Sequence, residues 1–349
     1  MRFLALCLCL LTPMSAVAQD DDDRGYIQGL LEDALSGPGR TVIIDGFAGA
    51  LSSRATIEKI TVTDEQGVWV TAEDIAMVWT RTALLRGRIK IDEISIGRID
   101  LPRKPLPSKT ELPSAASGEA FSLPSLPVSV NIDKMDIKDV LLGESLFGQS
   151  ARVSFSGSAR LEDGAGDVDL NMVRTDAEGE LRLKGSFNNE SRVLGLDLAL
   201  IEPQDGIAAN LLSLPGKPSL ELTVKGEDPL SDFNASILLA TDNQERLSGV
   251  VTLISQSDGT NRFAALLGGD IAPVFVPEFA EFLGNKVDLT AAGHQAPDGT
   301  LTLDALRVSA AALLLDGSAE ISPDGWPRKL SLDGNITPPN GETVILPLS

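Results

Sequence analysis

The chain has 349 residues, of which 50 are acidic and 29 basic, giving a formal net charge of −21. A charge of that sign and size repels nucleic acid, so we expect no nucleic-acid partner. Aromatic residues make up only 4% of the chain, which excludes extended stacking platforms for bases or sugars and predicts that any apolar ligand surface is aliphatic.

Residues 1–18 have the layout of a secretory signal peptide. Arg2 precedes an apolar run at residues 3–11, and the small residues 16–18 stand just before an acidic run at residues 20–23. The apolar run is about half of the roughly 20 residues that a membrane-spanning helix needs. We therefore predict export with cleavage at the end of this segment, and the alternative is an uncleaved N-terminal anchor.

The rest of the chain changes from a helical to a strand-like pattern. Residues 24–36 place apolar side chains at helical spacing, and Gly37, Pro38 and Gly39 end that pattern. From Val42 onward the apolar period is two, as in half-buried strands. These patterns predict four parts, namely a signal peptide or anchor at 1–18, a helix plus β module at 19–101, a Pro-rich linker at 102–127 and a repetitive β-sheet region at 128–349.

The clearest strands alternate apolar and polar residues and are separated by polar turns that contain glycine or asparagine. They lie at 153–161, 168–172, 181–187, 194–200, 220–224, 237–239, 251–253, 287–289, 301–303 and 330–332. This pattern predicts a meander of antiparallel strands. Two short helices are predicted, around 207–212 and 278–283, and are interpreted as caps over a sheet end.

Four strand-like segments share a pattern that breaks strict alternation. Each has an apolar residue, an acidic residue, and further apolar residues at offsets three and five. The copies begin at Ile57, Ile91, Ile132 and Leu303. Because an offset of three moves a side chain to the other face of a strand, we predict a β-bulge in each copy that returns the apolar residues to one face.

The residue types that carry chemistry are scarce. His294 is the single histidine and stands in a stretch that reads as a loop, and Cys7 and Cys9 both lie in the export segment, so no zinc site can be assembled. No Gly-x-Ser-x-Gly elbow accompanies a serine. The acidic residues at 163, 167 and 169 flank glycines and are interpreted as solvated turn residues. We predict no enzyme activity, no catalytic, cofactor-binding or metal site, and no cofactor.

Several segments resemble a known family. Residues 24–35, Ile44 to Ser52 and Ala83 to Ile89, with weaker matches at 126–128, 211–216 and 268–273, resemble the N-terminal portion of the TamB family. These proteins are the inner-membrane subunits of the translocation and assembly module and belong to the AsmA-like superfamily. The resemblance spans essentially the whole chain, and it rests on pattern because the family has no catalytic signature.

The resemblance implies a mainly β protein, with an elongated, curved, antiparallel sheet folded lengthwise into a taco-like groove and a few short amphipathic helices. It implies a periplasmic location associated with the inner membrane and an outer-membrane barrel partner of the TamA type. Its cargo would be phospholipid acyl chains or nascent outer-membrane proteins. Family members are much longer, so we expect this chain to be truncated at its C-terminus. The alternative is a compact periplasmic β-domain that binds or adheres without transport.

Overall fold

The computed structural model describes residues 28–29, 32–33, 35–37, 39–49, 52–80, 82–83, 88–106, 122–123, 129–275 and 277–337. These ranges contain most of the repetitive β-sheet region predicted at 128–349. The predicted signal peptide, with its cleavage position, and most of the Pro-rich segment 102–127 lie outside them.

The chain is mainly β, as the sequence predicts. Its strands are β1 (Thr41–Asp45), β2 (Arg54–Asp64), β3 (Gly67–Trp79), β4 (Arg88–Leu101), β5 (Ser129–Leu142), β6 (Ala151–Glu162), β7 (Ala165–Arg174), β8 (Glu180–Asn188), β9 (Val193–Glu202), β10 (Leu220–Pro229), β11 (Phe233–Thr241), β12 (Gln244–Ser255), β13 (Asn261–Gly269), β14 (Val287–Gln295), β15 (Leu301–Ser309), β16 (Leu313–Ile321) and β17 (Pro327–Ile336).

All these strands form one large, curved, open sheet in which each strand pairs with the strand before it. The prediction of a wholly antiparallel sheet was wrong at one position, because β4 and β5 are parallel. Parallel neighbours need a crossover connection, and the Pro-rich segment between them is long enough to supply it. The strands on both sides of that segment therefore belong to the same sheet.

Tight turns join many of the antiparallel neighbours. The turn predicted after β6 is present at Asp163 and Gly164, which have φ angles of +50° and +73°. Asp242 and Asn243 make the same kind of turn between β11 and β12, with φ angles of +52° and +58°. Two-residue turns with positive φ match the right-handed twist of the strands that they connect. The local sequence therefore sets the register of these hairpins.

Bulges occur where the offset of three predicts them in three of the four repeat copies. The prediction was wrong for the copy that begins at Ile57, which pairs with β3 without a shift as far as Ile60. The pairing of β5 with β6 shifts between Ile132 and Met135, and the pairing of β15 with β16 shifts between Leu303 and Leu306. Each shift absorbs a residue, so the apolar side chains before and after it share a face. The copy in β4 has its bulge in the pairing with β3, where Ile91 and Ile94 lie opposite Trp79 and Met77, and it pairs in step with the copy in β5.

The helices are short and stand at strand ends. They are α1 (Glu144–Phe147), α2 (Ile207–Leu211) and α3 (Ala280–Leu283), with two turns of 3₁₀ helix at Ala272–Val274 and Pro277–Phe279. The two helices predicted from sequence are thus confirmed. Phe282 and Leu283 are buried against Ala272, Val287 and Ala312, which places α3 as a cap over the end of β14 to β16. No helix in the described ranges is long and apolar enough to cross a membrane.

Side chains of the N-terminal helical residues block the free edge of β1. Glu32 accepts a hydrogen bond from the Ile44 N–H at 2.7 Å, Gln28 donates to the Ile44 carbonyl at 2.6 Å, and the Ser36 hydroxyl accepts from the Val42 N–H at 2.9 Å. The three polar residues are spaced four apart, so they share one side of a helix. An unpaired strand edge is a template for aggregation, and this edge is closed by side chains.

Removing the central side chain of this set tests its role. We expect Glu32→Ala to lower the free energy of unfolding by about 1–3 kcal/mol, because it leaves the N–H of Ile44 without a partner; Ile44 itself is 1% exposed. Urea unfolding measures the change. Asp33→Ala, at an exposed neighbouring position, is the matched control, and equal effects of the two variants would contradict the edge-blocking role.

Candidate functional site: the aliphatic face of the sheet

One row of side chains crosses the sheet from β2 to β17 without a polar residue. We call this the central row, and it takes one residue from each strand, each opposite the next in the strand pairing. Its members are Ala55, Met77, Ile94, Met135, Gly157, Leu170, Leu183, Leu198, Val224, Ile237, Gly249, Leu267, Leu289, Val308, Leu315 and Gly334.

A second apolar row runs beside the central row from β2 to β12. Its members are Ile57, Ile75, Ile96, Ile137, Phe155, Met172, Leu181, Leu200, Leu222, Leu239 and Leu247. Because side chains alternate between faces along a strand, two rows that lie two residues apart, or three with a bulge, point to the same side of the sheet. Together they make one broad aliphatic face.

This face is only partly covered. From β3 to β16 the central row is half-buried, neither fully enclosed nor freely exposed. Fully buried side chains form one cluster under α3 and one around Phe187, Leu230, Phe233 and Ala235, and others, such as Ile44, Val153 and Leu220, are buried outside these clusters. The described helices have four or five residues and pack at strand ends, so none of them forms a layer over the middle of the sheet.

The opposite face is charged on β7 to β10. Next to the central row, Asp169, Lys184, Asp197 and Lys225 lie opposite one another on β7 to β10. The Lys184 ammonium is 3.2 Å from the Asp169 carboxylate, and the Lys225 ammonium is 3.2 Å from that of Asp197. Alternating charges on neighbouring strands attract, whereas like charges would repel. On β7 to β10 the sheet therefore has one wet, ion-paired face and one aliphatic face. On β11 to β13 the face opposite the central row also carries the exposed aliphatic residues Leu238, Val250 and Leu266.

Phenylalanine rings fill the positions of two glycines on the aliphatic face. A Cβ atom at Gly293 would lie 2.2 Å from the carbonyl oxygen of Thr302 and 2.5 Å from the ring of Phe263. One at Gly226 would lie 2.4 Å from the carbonyl oxygen of Asn234 and 2.8 Å from the ring of Phe233. Any larger residue would have to displace both the neighbouring backbone and the ring. The close approach explains why glycine interrupts otherwise aliphatic strands.

The crossover segment is fixed to the sheet near both of its ends. Arg103, just after β4, makes a two-point ion pair with Asp64 at the end of β2, with nitrogen–oxygen distances of 2.8 and 2.5 Å. The N–H of Leu106 also donates to Asp64, at 2.9 Å. Near the other end, the backbone of Leu123 exchanges two hydrogen bonds with the side chain of Asn189, at 2.8 and 2.9 Å.

Leu123 lies on the aliphatic face. It packs against the cluster around Phe187 and Phe233. With Leu161, Val168 and Leu194 it lines a shallow, mostly apolar cavity of about 310 Å³. The described part of the crossover thus supplies one aliphatic side chain of its own to this face.

The Asp64–Arg103 pair gives a pH-dependent prediction. Hydrogen bonds from Arg103, above all, and from the N–H groups of Leu106 and Gln66 hold the pKa of Asp64 well below its ordinary value of 3.8, against the opposing effect of burial. A carboxyl with a lowered pKa contributes stability that is present above the ordinary pKa and is lost as the pH falls through the folded-state value.

We therefore expect Asp64→Asn to be clearly less stable than the parent chain at neutral pH, with the difference shrinking once the pH falls below about 4. Urea unfolding of both proteins across a pH series measures it. Asp169→Asn is the control, because its pair with Lys184 is exposed and contributes little. A stability difference for Asp64→Asn that does not change with pH would contradict the role of this ion pair.

The residues that the sequence singled out for chemistry are scattered. The prediction that His294 stands in a loop was wrong: it lies in β14, with Nδ1 2.9 Å from the Asp304 carboxylate on β15. Asp163 occupies a turn as predicted, but the turn interpretation was wrong for Asp167 and Asp169, which lie in β7, where Asp169 belongs to the charged face. Within the described ranges no group of three or more histidine, cysteine or acidic side chains could hold a metal ion. The predicted lack of enzyme activity stays a prediction.

Two functional features were missed in the sequence. The spacing of Gln28, Glu32 and Ser36 was available as a polar stripe on the predicted helix, but only its apolar side was considered. Leu123 was hidden among prolines and serines in the segment interpreted as a linker, where a lone leucine carries no periodic signal.

No protein-family model, no curated protein and no solved structure matches this chain. The resemblance to the TamB family therefore stays a prediction. Any function for the chain is argued from the residues and the geometry described above.

Proposed function

We propose that this chain is a TamB-like envelope protein whose aliphatic face forms a groove for phospholipid acyl chains. In that role it supports lipid transport between the inner and outer membranes, outer-membrane protein assembly, or both. The observation that carries the proposal is the central row, which stays apolar across every strand from β2 to β17.

The chemistry of this face suits an acyl chain. Its side chains are Leu, Ile, Val, Met, Ala and Gly, with a few phenylalanines and no charge in the central row. Each CH₂ group that leaves water for such a surface contributes about 0.8 kcal/mol. Because the contacts are non-directional, a chain can move from strand to strand along the row with little change in energy, as a conduit requires.

The charged face supports an aqueous compartment on the other side of the sheet. Its ion pairs keep that side solvated, and a strongly negative chain stays soluble and apart from anionic headgroups. A periplasmic location, inner-membrane association and a partner barrel of the TamA type in the outer membrane belong to the same proposal, and they rest on the export signal and the family resemblance.

The alternative of two compact β-domains is less favoured. The parallel pairing of β4 with β5 joins the strands before and after the Pro-rich segment in one sheet, whereas two domains would each close their own. A single sheet with no helix layer over its middle, among the described residues, leaves the aliphatic face for a ligand.

Photo-cross-linking tests the groove with matched positions on the two faces. Leu183 and Leu198 lie opposite each other in the central row, and the adjacent residues Lys184 and Asp197 lie opposite each other on the charged face. A photoreactive residue at each position in turn is introduced into the full chain, expressed in a Gram-negative host and irradiated in cells. We expect phospholipid adducts by mass spectrometry at 183 and 198 and not at 184 and 197.

Equal labelling of the two faces, or no lipid at any position, would overturn lipid transport. Adducts at 183 and 198 that contain outer-membrane proteins and no lipid would instead assign the groove to protein assembly. Native mass spectrometry of the unmodified chain is the companion measurement, since a groove that holds lipid retains phospholipid through a mild purification.

A further inference from the structure

Among the described residues, β17 is the outermost strand at one side of the sheet, and its outer edge is unpaired. Every residue of β17 is exposed, and Leu330 and Leu332 of the aliphatic face keep 66% and 56% of their accessible surface. Within the described ranges only β16 pairs with β17. In contrast to β1, no side chain in those ranges satisfies the outward backbone groups of this edge.

The pairing with β16 shows which backbone groups point outward. The N–H of Thr337 donates to the carbonyl of Ala312 at 3.0 Å, one step beyond the pair formed by Ile336 and Leu313. Bonded and non-bonded pairs alternate along an antiparallel ladder, so the odd-numbered residues from 329 to 337 bond to β16. The N–H and carbonyl groups of Leu330, Leu332 and Gly334 therefore face the open edge.

Two charges stand on the other face of the same strand. The Lys329 ammonium pairs with Glu320 at 2.8 Å and still keeps 79% of its side-chain surface. Asp333 lies opposite Asp316, whose carboxylate is bound by Arg307 at 2.8 Å. In the described part of the chain Asp333 has no ion pair of its own. The strand thus presents a cation before Ser331 and an uncompensated anion after it, at equal distances.

We infer that β17 is a self-complementary edge that pairs with the β17 of a second copy, antiparallel, about a two-fold axis at Ser331. In this register Leu330 lies opposite Leu332 of the other copy, and both residues turn their N–H and carbonyl groups outward, so the pair exchanges hydrogen bonds. Lys329 lies opposite Asp333 of the other copy, twice by symmetry, in the non-bonded pairs where side chains approach most closely.

The neighbouring registers are less complementary. An axis at Asp333 brings two aspartates face to face, and an axis at Leu332 places Lys329 opposite Asn335. The axis at Ser331 alone combines outward backbone groups, two leucine pairs and two ion pairs. The paired sheets also join their aliphatic faces, because Leu330 and Leu332 lie on the same side as the central row.

A single cysteine on the axis tests the register. Cys7 and Cys9 are first replaced by alanine in the full chain, which leaves no other cysteine. Ser331→Cys then places two thiols in one non-bonded pair, within reach of a disulfide. We expect a disulfide-linked dimer under mild oxidation. Ser318→Cys, opposite Ser331 on β16, is the control, because its two copies would lie three strand spacings apart, about 14 Å, and stay unlinked.

Charge variants test the choice of partner. Lys329→Glu leaves only acidic residues at the two positions, and Asp333→Lys leaves only basic ones. We expect each variant alone to be a monomer by light scattering, and an equimolar mixture to form a dimer of twice the monomer mass with one copy of each.

Three outcomes would overturn the inference. A Ser331→Cys chain that stays monomeric under oxidation would mean that residues 338–349 or solvent occupy the edge. A cross-link to a different protein would assign the edge to that partner. Dimers of each charge variant alone would place the contact elsewhere on the molecule.

Discussion

The two-residue period of β-strands, kept in step from one strand to the next, is the constraint on which this structure depends. A slip of one residue in any strand would turn its leucines toward the charged face and its lysines toward the aliphatic one. Hairpin turns and bulges both keep the strands in register. A turn such as Asp163 and Gly164 fixes the register where a hairpin begins, and a bulge restores it where the sequence breaks the alternation. The sheet is amphipathic because these local features keep the apolar side chains of the central row on one face.

The aliphatic face has only a partial cover, and few side chains of the sheet are therefore fully buried. A sheet with apolar residues on one side is stable only if something covers that side. Here α3 and the cluster around Phe187 and Phe233 cover it near strand ends, while the middle of the central row stays half-buried. In a β-sandwich a second sheet packs over the apolar face and stabilises it. Here the stabilising contacts are between aliphatic side chains on neighbouring strands, and between phenylalanine rings and glycines.

Much of the sheet could be predicted from the sequence, because alternation and turn chemistry are local signals. The strands around Leu170, Leu183 and Leu198, the short helices at 207–211 and 280–283 and three of the four predicted bulges all follow from them. The direction of β4 relative to β5 could not be predicted, because the sequence of a strand does not specify whether its neighbour runs parallel or antiparallel to it. His294 was misplaced because glycine and polar neighbours resemble a loop when the pairing with β15 is unknown.

The parallel pair β4–β5 also has a consequence for how the sheet forms in time. Most antiparallel neighbours are joined by tight turns, and such hairpins close within microseconds. The entropy of closing a flexible loop rises with the logarithm of its length, so β4 and β5 meet only after residues 102–128 have been brought round as a whole. We therefore expect β1–β4 and β5–β17 to nucleate independently, with their docking as the slow, non-local step that completes the sheet.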